Sequence, residues 1–243
     1  MIKALLLLLK FAKLGPLLKS AGFMLVSVGA YALLFGWRYA VGLVLLLLVH
    51  EMGHYVAARR LGMNVGLPTF IPFVGAWIEL KDQPLSVEQE ARIAFAGPFA
   101  GTLAAAALLA LALREHSPLL LALSYAGFFL NLFNLVPVAP FDGGRIVAIL
   151  SPKVWFVGVP ILVAAFIMSP SPMFLMILLL LAPTIYAALR AAWRGDVPAH
   201  NPRYYEVPLD ARVRYAGYYL LLLGFLCEMT FRTHAQVEAL RGL

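Results

Sequence analysis

The chain has 243 residues, of which 63% are hydrophobic and only 13% charged, and it carries a formal net charge of +7. So much apolar surface cannot be hidden in one soluble core of this size, which excludes an ordinary soluble domain and leaves the bilayer as solvent. A single cysteine, Cys227, excludes an intramolecular disulfide framework.

The first segment, residues 1–20, is rich in leucine but is interrupted by Lys3, Lys10, Lys13 and Lys19, with Gly15-Pro16 near its end. It reads as an interfacial helix, and the scattered lysines are a poor fit to a cleaved signal peptide. Apolar stretches then follow near 21–37, 39–58, 92–113, 119–137, 154–168, 173–190 and 214–231. Each approaches the roughly 20 residues needed to span hydrocarbon, although the first and fifth are short. The expected fold is therefore an all-α polytopic membrane protein with about six to seven transmembrane helices. Residues 21–193 would form its core, 194–213 a cytoplasmic connector, 214–231 a last span and 232–243 a tail.

The basic residues choose an orientation. With the N-terminus inside and seven spans, only Arg38, Arg114, Arg232 and Arg241 of the 19 Lys and Arg fall outside, as the positive-inside rule requires. This distribution accounts for the net charge without a nucleic-acid partner. It predicts an integral protein of a bacterial or archaeal cell membrane, with its N-terminus on the cytoplasmic side.

Within the 39–58 helix stands His50-Glu51-Met52-Gly53-His54. On a helix this HExxH pattern stacks two imidazoles on one face and sets a carboxylate about 100° around from the first. His50 and His54 read as metal ligands and Glu51 as the general base for a bound water. At about 1.5 Å per residue back from Arg59-Arg60, the metal would lie on the order of 10 Å below the inner surface, and the site should open to the cytoplasm.

A catalytic zinc takes three protein ligands and leaves one position open. Asp142, in the stretch Asn134 to Arg145, follows a span that returns to the same side as the histidines. Pro137 and Pro140 break the helix there, and Gly143-Gly144 permits a tight return of the chain. Between the two motifs, residues 63–80 are apolar but broken by Pro68, Pro72 and Gly75. They read as a short re-entrant β-hairpin or sheet near the site, whose edge could accept an extended substrate by strand addition.

Together these residues resemble the site-2 protease family of intramembrane zinc metalloproteases. The HExxH and the Asn-x-x-Pro-x-x-Pro-x-Asp-Gly-Gly stretch are similar to that family's two signatures, and Ala96-Gly97-Pro98 looks like its small-residue motif. Phe141 and Gly101 depart from the common pattern and touch the shape of the pocket. The resemblance implies one zinc ion on His50, His54 and Asp142, with Glu51 activating water. Asn134 matches a family position implicated in holding substrate or stabilising an oxyanion, and it could equally satisfy backbone groups freed by the broken helix. Asn131, one turn earlier, reads as a link between helices.

The implied reaction is hydrolysis of a peptide bond in or near a transmembrane segment of another membrane protein, with the lipid bilayer as the surroundings and a regulatory partner protein as a further candidate contact. A membrane zinc transporter or sensor using the same ligands without hydrolysis is the alternative. Glu51 separates the two, because a transporter has no need of a base beside its first histidine.

Overall fold

The computed structural model describes residues 2–72 and 75–241. Helix α1 (Ile2–Phe35) runs without interruption through residue 20, where the sequence suggested a change from interfacial helix to span. Gly36 ends it with φ 81°, a conformation that a side chain would oppose, and α2 (Trp37–Arg60) starts at once.

The 63–80 element is a two-stranded antiparallel hairpin, β1 (Thr69–Ile71) with β2 (Gly75–Trp77), paired Thr69 to Trp77 and Phe70 to Ala76. An outlying bridge between Val65 and Leu80 closes its base. Residues 73–74 of the element lie outside the described residues. Phe70 anchors the hairpin, being 1% exposed in a cluster with Tyr31, Ala40 and Val44 of α1 and α2.

Helix α3 (Val87–Glu115) begins at Ser86, whose hydroxyl accepts from the Gln89 amide, with Glu88 and Glu90 complementing the positive end of the dipole. Ser117 caps α4 (Pro118–Asn134) and Ser171 caps α7 (Pro172–Arg194) in the same way, each followed by proline at the first helical position. Between them lie the single-turn-and-a-half α5 (Asp142–Val147) and α6 (Trp155–Met168). A non-helical connector then leads to α8 (Leu209–Arg241), which extends through most of the expected tail.

Among the described residues, Leu17–Phe35, Trp37–Arg60, Val87–Glu115 and Pro172–Arg194 are long and apolar enough to cross a membrane. Pro118–Asn134 and Pro152–Met168 are apolar but shorter. Four helices thus meet the requirement of length and composition, against the six to seven expected, and α8 falls short because charged residues such as Asp210, Arg212, Arg214, Glu228 and Arg232 interrupt it.

The packed centre is built by α3, α4, α5 and α8 around Ala94, Phe128, Leu135, Ile146 and Leu226. Small residues bring α2 against α3: a methyl on Gly53 would run into the Ala96 carbonyl. On α7, by contrast, Leu179 and Leu180 face outward, as expected of a helix solvated by lipid.

Candidate metal centre

Two elements deliver one cluster of three side chains. His50 and His54 come from one face of α2, and Asp142 opens α5. The two Nε2 atoms are 3.1 Å apart, and each is 3.2 Å from Asp142 Oδ2. All three residues are buried, and theirs is the group of His, Cys, Asp and Glu ligand atoms that converges among the described residues.

Neighbouring groups fix which ring nitrogens face inward. His54 Nδ1 lies 2.8 Å from the Ile93 carbonyl, which can only accept, so Nδ1 carries the proton. Asn131 donates its Nδ2 to the Gly127 carbonyl at 2.7 Å, which turns its Oδ1 toward His50 Nδ1 at 2.8 Å, and that nitrogen is a donor as well. Both Nε2 lone pairs therefore point at each other and at a carboxylate oxygen.

Such a convergence is repulsive unless a cation occupies its centre. A tetrahedral ion with ligand bonds of about 2.0–2.1 Å sets neighbouring donors about 3.3 Å apart, so this donor set fits zinc in spacing and in chemistry. The outward hydrogen bonds from both Nδ1 atoms are the support that metal-binding imidazoles ordinarily receive.

Asp142 reaches α2 because the chain before it folds back tightly. A Cβ on Gly143 would overlap the Leu135 backbone, and one on Gly144 the backbone of Val138 and Ala139. Tyr219 donates to the Leu135 carbonyl and Trp155 to the Gly144 carbonyl, both at 2.8 Å, so α8 and α6 clamp the return. Phe141 is buried edge-on against Phe133.

Gly97 presses directly on the His54 ring, where a methyl group would overlap the imidazole. Overpacking of this kind costs about 1–3 kcal/mol. Gly97→Ala should therefore lower the thermal midpoint of the purified protein in detergent, and an unchanged melting curve would contradict the close contact. Gly101 gives the same clearance to the Asn131 amide.

Glu51 is 6% exposed, and no hydrogen bond or ion pair holds its carboxylate among the described residues. Asn134 behaves differently from its neighbour: at the last turn of α4, its Nδ2 donates to the Leu130 carbonyl at 3.1 Å. It is not part of the converging cluster. The residue that sequence reasoning underused is Asn131, identified only as a link between helices, whose link ends on His50 itself. The other histidines stand apart: His116 caps α3 in the left-handed region, His200 approaches the Pro84 carbonyl, and His234 packs on Tyr125.

The model of peptidase family M50 matches residues 38–117, the segment that carries both histidines and Gly97. By this segment the chain is similar to peptidase family M50. It is 35% identical over 133 residues to the "Putative zinc metalloprotease Rip3" of Mycobacterium tuberculosis, covering 50% of this chain and 34% of that protein. It is 33% identical over 140 residues to "Zinc metalloprotease MJ0392" of Methanocaldococcus jannaschii, covering 54% of this chain and 40% of that protein. The chain thus spans well under half the length of these curated relatives. The solved "Site-2 Protease from Methanocaldococcus jannaschii" aligns with a TM-score of 0.45 and 24% identity, covering 76% of this chain and 87% of that one.

Proposed function

We propose that the protein is an intramembrane zinc metalloprotease that hydrolyses a peptide bond in or near a transmembrane segment of another membrane protein. The observation that carries this reading is the meeting of two Nε2 lone pairs and a carboxylate oxygen on the helix that also buries the Glu51 carboxylate. In this reading His50, His54 and Asp142 hold one zinc ion. A zinc ion held there would supply Lewis acidity, acidifying water toward neutrality and polarising a carbonyl.

The remaining chemistry falls to the chain. Glu51 accepts a proton from the attacking water and returns it to the amine nitrogen as the carbon–nitrogen bond breaks. Proton, hydroxyl and leaving group are then all accounted for, with no covalent enzyme intermediate. Asn134 lies within one turn of Asn131 at the end of α4, from where its amide would turn from the Leu130 carbonyl to the developing oxyanion. The β1–β2 hairpin would offer a strand edge to an unwound substrate segment, replacing the hydrogen bonds that the substrate helix gives up.

Taking Pro118–Asn134, Pro152–Met168 and α8 as spans together with the four longer apolar helices gives the seven expected from the sequence. The distribution of Lys and Arg supports an inward N-terminus and a site open to the cytoplasm.

The test is cleavage of a single-span membrane protein by the purified chain in proteoliposomes. Stripping the metal with a chelator should abolish cleavage, and stoichiometric zinc should restore it. Cleavage that persists in fully metal-depleted protein would contradict the proposal.

A further inference from the structure

The second carboxylate oxygen of Asp142 is engaged away from the histidines. Oδ1 lies 3.7 Å from Arg145 Nη1, one turn along α5. Arg145 in turn donates its Nε to Glu90 Oε1 at 3.1 Å, reaching α3. The other oxygen of Glu90 accepts from the Tyr204 hydroxyl, which belongs to the connector between α7 and α8. A continuous polar chain therefore leads from the candidate metal ligand to the connector.

The connector end of this chain is firmly seated. Tyr204 is 3% exposed, its carbonyl accepts from the Val87 amide at 3.0 Å, and its ring packs edge-on against Tyr205 and His200. Arg212 of α8 ties the same region down by donating to the carbonyls of Leu150 and Tyr205. Burial, reinforced by the Glu90 charge, pushes the Tyr204 phenol well above its usual range. It therefore remains a hydrogen-bond donor at any working pH.

Arg145 also balances charge. Its guanidinium approaches both Glu90, at 3.1 Å, and Asp142, at 3.7 Å, and so offers one planar cation to two carboxylates. Asp142 can turn only one oxygen to the histidines while the other is held by Arg145, so the guanidinium selects the rotamer that completes the donor set.

We propose that Arg145, Glu90 and Tyr204 are positioning residues for Asp142, so that the connector, acting through Tyr204, governs how tightly the metal centre holds its ion. This rests on the metal-centre reading above and extends it to regulation. A partner or substrate that displaced the connector would loosen the centre from the cytoplasmic end of the bundle, without touching the ligands.

The experiment is a zinc competition titration of the purified full chain in detergent, with the absorption spectrum of the cobalt-substituted protein recorded alongside. Partners that orient metal ligands typically change affinity by about 10–100-fold. Arg145→Met is expected to weaken zinc binding by about that factor and to alter the cobalt spectrum, with Arg145→Lys recovering part of the loss. Tyr204→Phe keeps the ring and its packing, and should weaken binding several-fold, on the order of the lower end of that range. In the Arg145→Met background it should have no further effect, since the chain is already cut. Glu90→Gln provides an independent break of similar shape and should follow Arg145→Met in direction.

Native affinity and an unchanged cobalt spectrum in Tyr204→Phe and Glu90→Gln would overturn the relay, as would losses that simply add to that of Arg145→Met. If native protein binds zinc one to one while these variants match it, the relay alone fails. If native protein binds no zinc, the metal-centre reading fails and the relay falls with it.

Discussion

Glu51→Gln is expected to abolish peptide cleavage while leaving zinc bound. General acid–base catalysis is worth about 10²–10⁴-fold in rate, and Glu51 is assigned both the removal of the proton from water and its delivery to the leaving amine. A thousandfold loss corresponds to about 4 kcal/mol of barrier. Glutamine preserves the size of the side chain and its position on α2 but cannot take the proton. Cleavage of a co-reconstituted single-span protein measures the first part, and metal content the second. A zinc transporter or sensor built on the same three ligands would tolerate the change, so retention of cleavage, or its absence from both proteins alongside zinc flux in both, would contradict the assigned role.

Asp142→Asn carries the second large effect. The substitution keeps the side-chain shape within the tight turn at Gly143-Gly144, and Arg145 keeps its bond to Glu90. What is lost is the negative charge between two imidazole lone pairs. Changing a partner behind a ligand costs about 10–100-fold in metal affinity, and replacing a ligand itself should exceed that, so zinc affinity is expected to fall by more than about 100-fold. A competition titration reads this directly. Affinity within a few-fold of native would remove Asp142 from the donor set.

Much of this was legible in the sequence because the signals were local. His50 and His54 share a face through helix periodicity alone, and two prolines with a glycine mark the hairpin within 63–80. Convergence of Asp142 with the histidines followed from the span order, which returns the chain to the same side.

Less legible were contacts that only packing creates. Asn131 and His50 are 81 residues apart, and Tyr204 and Glu90 are 114 apart, so neither spacing carries a pattern. Gly97 was visible as part of a small-residue motif, but its pressing on the His54 ring depends on how closely α2 and α3 approach. The span count is less legible because mean apolarity does not fix where a helix ends: Pro118–Asn134 stops short of the Pro137–Pro140 turn, and α8 carries charges at both ends of its apolar stretch.

The central claim is that two imidazoles and one carboxylate hold a single zinc ion. Its most direct test is the zinc-edge X-ray absorption spectrum of the purified native chain. The account predicts one zinc per chain, with two imidazoles and oxygen ligands at about 2.0–2.1 Å. Sulfur scattering near the roughly 2.3 Å of a zinc–cysteine bond, or a protein that takes up no zinc at that site, would contradict it.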